Sequence, residues 1–320
     1  MHLIKEVPLM HRTLRRGLLV AATMMVVSIG ITATPVTAAQ PSQSTAASLP
    51  GRGLPALANG TCTLLWDLLN AGGRNGLVAI GLTDGQQLIK FAANRPALAC
   101  TIGPVDLPGS EVLIGIDFRV QDRQLYGVGN TGGVYALNTR TAAATKVSQL
   151  TVALNGTSFG VDFNPAADRL RIISDTAQNL RHNINPGGTT VVDGPLTYPP
   201  STTAVGVTGA AYTNNDLNPA TATTLFDIDT TLDQVALQSP ANSGQLAATG
   251  ALGVNANLQA GFDIHSQLSG DRAVANNAYA VLNGIAGSRL YRVDLLTGAA
   301  QTTGAFNGHV VLDLALLLRQ

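Results

Sequence analysis

The chain has 320 residues, 45% apolar and only 12% charged, so it can bury a full core while carrying about half the usual charged share of about 25%. Its 19 basic and 19 acidic residues cancel; residues 1–39 hold Lys5, Arg12, Arg15 and Arg16 against Glu6, which leaves 15 basic and 18 acidic residues beyond them, near −3. That balance, without any basic stripe, excludes the electrostatic footprint of a nucleic-acid or anionic-lipid binder.

The N-terminus reads as an export signal. Basic residues up to Arg16 precede an apolar run from Gly17 to Val27, and Thr37-Ala38-Ala39 supplies the small residues of a cleavage site. A retained anchor is the alternative, but Pro35 and the threonines interrupt the ~20 apolar residues that a spanning helix needs. Residues 1–39 are therefore assigned to a signal peptide, and the mature protein is expected outside the cytoplasm, secreted or periplasmic. Residues 40–60, rich in Pro, Ser, Gly and Ala without periodicity, read as a flexible linker.

Residues 61–320 read as a single β domain. Cys62 and Cys100 are the only cysteines, and in an exported protein an even pair points to one disulfide, two reduced buried thiols being the alternative. Thr61 to Asn70 is short and apolar, a helical turn or an edge strand that Cys62 would tie down.

From Leu77 onward short β-runs repeat. The motif GIDF starts at Gly115, GVDF at Gly160, GAAY at Gly209, GFDI at Gly261 and VLDL at Val311, at spacings of 45, 49, 52 and 50 residues. Each of the first four is followed by a second strand, at Leu125–Val128, Leu170–Ile173, Leu225–Ile228 and Ala278–Val281, and then by a third and fourth. Four strands per repeat of this length is a propeller blade.

The first repeat has three strands and the last has one. Pairing the C-terminal strand Val310–Leu316 with the first blade closes a ring of five, which removes the exposed sheet edges. The expected fold is all-β, a five-bladed propeller; an open β-sandwich or a β-solenoid is the alternative.

The densest polar stretch, Gly156 to Thr190, also carries a resemblance. Gly160-Val161-Asp162-Phe163-Asn164-Pro165, Asp168-Arg169-Leu170-Arg171, Ser174-Asp175 and Gln178-Asn179-Leu180-Arg181 resemble the hallmark of the uncharacterised bacterial family DUF4394, a domain of unknown function. Gly209–Asn215, Thr224–Asp229 and Leu237–Pro240 match as well, and the resemblance spans Leu77 to Leu318. Ala177 stands where the family has Gly, and Ala241 and Ser243 depart from a Pro-Asn-Asp pattern. The resemblance implies an exported, repeat-built β domain and no particular reaction.

Two constellations could carry chemistry. Asp117, Asp162, Asp263 and Asp313 recur at one inner-strand position, with Ala211 breaking the series. A carboxylate ring there could hold Ca²⁺ through oxygen ligands. The weightier reading is that each Asp accepts hydrogen bonds and stitches neighbouring blades. Asp162, Asp168, Arg169, Arg171, Asp175, Asn179 and Arg181 are the ligand-binding candidates, because arginine forks fit carboxylate, phosphate or sugar; internal pairing is the weightier reading here too.

Gly156-Thr157-Ser158-Phe159-Gly160 matches G-x-S-x-G, but a nucleophile elbow needs a strand before the Ser and a helix after it. Asp227-Ile228-Asp229 lacks the rest of a calcium loop. Glu111 is the single Glu beyond residue 39, so no paired-Glu glycosidase site exists. Asn59 and Asn155 open glycosylation sequons, relevant only in a glycosylating host.

The expected function is an exported, non-catalytic binding or scaffolding module. It would act as a monomer on an extracellular ligand or protein, with no nucleic-acid or membrane partner and no obligate cofactor. An extracellular hydrolase or lyase with an axial Asp/Arg or Ca²⁺-dependent site is the alternative.

Overall fold

The computed structural model describes Cys62 and residues 76–318. The assigned signal peptide, the linker and most of Thr61–Asn70 lie outside the described residues.

Alternating β-branched and small residues, cut by Asn, Asp and Gly turns, give five four-stranded antiparallel sheets. In chain order the strands are β1 (Val78–Thr83), β2 (Gln87–Ala92), β3 (Cys100–Pro104), β4 (Leu113–Phe118), β5 (Leu125–Gly129), β6 (Gly133–Leu137) and β7 (Ala144–Gln149). Next come β8 (Phe159–Asn164), β9 (Arg169–Ser174), β10 (Asn179–His182), β11 (Thr190–Val192), and the short pair β12 (Thr197–Tyr198) and β13 (Thr202–Thr203). The last are β14 (Val207–Tyr212), β15 (Leu225–Asp229), β16 (Gln234–Gln238), β17 (Leu246–Ala251), β18 (Ala260–Ser269), β19 (Arg272–Gly284), β20 (Gly287–Val293), β21 (Ala300–Ala305) and β22 (Val311–Leu316).

Blade 1 is ordered β22-β1-β2-β3, so the C-terminal strand supplies the inner strand of the first blade. It pairs antiparallel with β1, Gly81 opposite Leu314 and Leu82 opposite Asp313. Blades 2, 3, 4 and 5 are β4–β7, β8–β11, β14–β17 and β18–β21. The expected closure holds, and the protein is a five-bladed β-propeller.

The core sits between blades rather than in one central mass. One apolar cluster joins blades 1 and 2 through Ile80, Leu88, Leu113 and Tyr135; another joins blades 2 and 3 through Tyr126, Val128, Phe163 and Leu170. Tyr126 and Phe163 meet edge to face, with ring centroids 5.4 Å apart. The Cys62–Cys100 disulfide is formed and borders the blade 1–blade 2 cluster.

Three features depart from the repeat. The β12–β13 hairpin is inserted between blades 3 and 4. The β18–β19 hairpin is the longest, with strands of 10 and 13 residues. Ala177 takes a φ of 67°, the left-handed region where a Cβ is unfavourable, which accounts for glycine in the family's pattern there.

Candidate functional site

Glycines set the axis. Gly115, Gly160 and Gly261 each precede an axial aspartate by two residues. A Cβ on Gly261 would lie 2.6 Å from Asp313 Cα, and one on Gly160 would lie 2.7 Å from the Ala210 nitrogen. Their bare backbones let neighbouring inner strands approach closely enough for a carboxylate to span the gap.

Each aspartate then accepts a backbone N–H from the next blade. Asp117 Oδ2 accepts from Phe163 at 2.7 Å, Asp162 Oδ1 from Tyr212 at 3.1 Å, Asp263 Oδ2 from Leu316 at 2.6 Å and Asp313 Oδ2 from Ile116 at 2.8 Å. Asp117, Asp263 and Asp313 each turn the second oxygen back to the N–H of the following residue in their own strand. Four of the five inter-blade seams therefore carry the same carboxylate clip. The blade 4–blade 5 seam has Ala211 at that position and uses Thr208 instead, whose Oγ1 accepts from the Ala260 N–H at 3.2 Å.

All four carboxyls are buried, and Asp117, Asp162 and Asp263 each place an oxygen within 4.8 Å of the other two. Burial, reinforced by the neighbouring carboxyls, pushes Asp117, Asp162 and Asp313 well above the ordinary aspartate value. Burial pushes Asp263 up to about 7, against the two N–H donors that pull it down. Like charges this close do not all ionise together.

The polar cluster of the Gly156–Thr190 stretch is dispersed by the fold. Arg171, 2% exposed, lies on the blade 3–blade 4 seam. Its Nη1 donates to Asn179 Oδ1 at 2.6 Å and Asp193 Oδ2 at 2.8 Å, its Nη2 to Asn242 Oδ1 at 2.7 Å, and its Nε to the Tyr212 hydroxyl at 3.1 Å. Arg181 Nε bridges both oxygens of Asp193 at 2.9 Å, so Arg171, Asn179 and Arg181 do come together.

The others go elsewhere. Asp168 pairs with Arg119 of blade 2, Nε to Oδ1 at 2.7 Å and Nη2 to Oδ2 at 2.5 Å, which holds its carboxyl below the usual range. Arg169 donates to the Asp168 carbonyl at 2.7 Å. Asp175 caps its turn, accepting from the Thr157 N–H and hydroxyl at 2.9 and 2.6 Å. Asp162 belongs to the axis.

The remaining chemical motifs are also absorbed. Ser158 is buried before β8 with no helix after it, so no nucleophile elbow forms. The His182 ring bonds the hydroxyls of Ser148 at 2.8 Å and Thr190 at 3.0 Å. Asp229 accepts from the Tyr198 hydroxyl at 2.9 Å and from two turn N–H groups. Asp227 differs. It is fully buried, neither oxygen has a hydrogen-bond partner among the described residues, and burial pushes its carboxyl well up, against the pull of Arg171.

The family described as domain of unknown function (DUF4394) matches residues 87–315. The chain belongs to this family. No curated protein matches it. Among solved structures, it is similar to a structural genomics protein of unknown function from Bacteroides thetaiotaomicron VPI-5482, at 14% identity over 76% of this chain and 67% of that one, with a TM-score of 0.43. It is also similar to a chain of a nidogen/laminin complex (11% identity, 76% and 99% coverage, TM-score 0.40). A third is an auxiliary nutrient binding protein from Bacteroides ovatus ATCC 8483 (10% identity, 70% and 57% coverage, TM-score 0.35).

Within this DUF4394 member, sequence reasoning missed the partners rather than the anchors. Arg119, Asp193 and Asn242 complete the networks of Asp168 and Arg171, from 49, 22 and 71 residues away. Glu111, the single Glu beyond residue 39, accepts from the Thr131 and Tyr135 hydroxyls and the Gly133 N–H. Burial pushes its carboxyl up, but donors from Thr131, Tyr135 and the Gly133 N–H outweigh this and hold it below the ordinary value. Repeat position identified the axial aspartates; no local signal marks loop residues that meet across blades.

Proposed function

We propose that this DUF4394 member is an exported, non-catalytic β-propeller that binds or scaffolds an extracellular ligand or protein. One observation carries the reading. The groups best suited to chemistry, the axial aspartates and Arg171, are spent on hydrogen bonds that join one blade to the next. The disulfide suits an oxidising compartment, and no helix among the described residues is long and apolar enough to cross a membrane. Purified full-length protein should be inert on polysaccharide, lactone and phosphoester panels while remaining folded. Turnover abolished by Asp162→Asn would overturn the reading.

A second reading has one observation in its favour. Three carboxyl oxygens within 4.8 Å of one another could hold Ca²⁺, and a hydrolase or lyase could use that ion. It is weighed against a donor set that already accepts backbone N–H groups. A chelator-sensitive melting temperature would support it.

A further inference from the structure

We propose that the cleft on the blade 4–blade 5 seam is a binding site for a neutral saccharide. The inference rests on the binding reading above and gives it a place and a ligand class.

The cleft encloses about 660 Å³, within the ~300–1,000 Å³ of small-molecule sites. It opens on the one seam that lacks the axial aspartate clip, where Asp216 Oδ2 instead accepts the Ala273 N–H at 2.7 Å, beside the longest hairpin among the described residues. Buried Phe226 and Val293 give it an apolar wall; Asn277, Arg292, Asp294 and Gln301 give it a polar one.

The polar groups are held in place yet keep free hydrogen-bonding capacity. Asn214 and Asn276 clamp the two blades at its edge, the Asn214 N–H donating to Asn276 Oδ1 at 3.0 Å and Asn276 Nδ2 returning to Asn214 Oδ1 at 2.9 Å. Arg292 Nη2 donates to Asn277 Oδ1 at 3.0 Å, which orients both side chains and leaves Asn277 Nδ2 and the other guanidinium N–H groups as donors. Asp294 Oδ1 accepts the Leu296 and Thr297 N–H groups at 3.0 Å, and the Thr297 side chain bonds the same carboxylate, which fixes its orientation at the cleft.

The chemistry of this lining selects among ligands. One guanidinium and one carboxylate cancel, so neither an anion nor a cation is favoured. An apolar ligand would leave the carboxamides unpaired, at a cost for each buried one. An extended peptide needs an open strand edge, but β20 is paired on both sides, with β19 and β21. Adjacent sugar hydroxyls both donate and accept, the fork of Arg292 can span two of them, and the exposed Leu296 side chain offers apolar surface to the C–H face of the ring.

Isothermal titration of the full-length protein with cellohexaose, maltohexaose, mannohexaose and N-acetylchitohexaose tests the site, with hexagalacturonate as the acidic comparison. At least one neutral hexasaccharide should bind, and Arg292→Ala and Asn277→Ala should each weaken it roughly tenfold or more with an unchanged melting temperature. Lys146→Ala, remote from the cleft, should change nothing. The proposal is overturned if no neutral saccharide binds, if only hexagalacturonate binds, or if binding survives both cleft variants. Cleavage of the probe in the same samples, read by chromatography, would instead overturn the non-catalytic reading.

Discussion

The seam between blades 1 and 2 and the seam between blades 4 and 5 occupy equivalent places in the ring, yet they are built differently. At the first, Asp313 reaches from β22 to the Ile116 N–H of β4 and ties blade 1 to blade 2. At the second, Ala211 stands where an aspartate would be, a threonine hydroxyl takes over, and the surface opens into a cleft. The difference teaches a division of labour. Where a carboxylate clips two inner strands the seam is structural, and where it is missing the seam can serve another purpose.

The largest effect should come from the most heavily invested seam. Arg171→Leu removes one of the two cations that Asp193 faces and leaves the buried Asn179 and Tyr212 without that partner. Each buried polar group left unsatisfied costs about 1–3 kcal/mol, so chemical denaturation should show a loss of about 2 kcal/mol or more. A loss below about 1 kcal/mol would mean the seam does not depend on this network.

Next come the clipped and unclipped seams themselves. Asp313→Ala strands the buried N–H groups of Ile116 and Leu314, each worth roughly 1–3 kcal/mol when unsatisfied. Thr208→Val removes a single neutral hydrogen bond, worth about 0.5–1.5 kcal/mol. Equal losses at the two seams, measured by urea unfolding, would erase the distinction between them.

The blade pattern was legible in the sequence because it rests on strand alternation and repeat spacing. The GIDF, GVDF and GFDI echoes fall in β4, β8 and β18, the GAAY and VLDL echoes fall in β14 and β22, and the closure by β22 follows from a first repeat one strand short. The insertions were not legible. Tyr198-Pro199-Pro200-Ser201 has no alternation to announce β12 and β13, and Ala273-Val274-Ala275 gives no sign that β19 runs for 13 residues. The candidate site divided along the same line. Four aspartates at one repeat position were found from spacing, whereas the dispersal of Asp168 to Arg119 and of Arg171 to Asn242 depends on loops that meet only in the ring.

A further effect is a pH dependence of unusual sign. An aspartate with a folded value near 7, above its unfolded value, contributes stability that is complete below the unfolded value and is lost as pH rises through the folded one. Asp263 should therefore make the protein less stable between about pH 4 and pH 7, at up to ~1.4 kcal/mol per pH unit for each proton released. The difference in stability between wild type and Asp263→Asn, followed over that range, should fall with pH; a rise would reverse the assignment.

The most direct measurement is a thermal melt of the full-length protein in chelator and in millimolar Ca²⁺, repeated with Asp162→Asn. If the axial carboxyls are clips between blades, the melting temperature is the same in both buffers. A rise of several degrees in Ca²⁺ that Asp162→Asn abolishes would mean that the axis holds a metal ion, since binding to the native state alone stabilises by about 2.7 kcal/mol at a hundredfold excess over Kd.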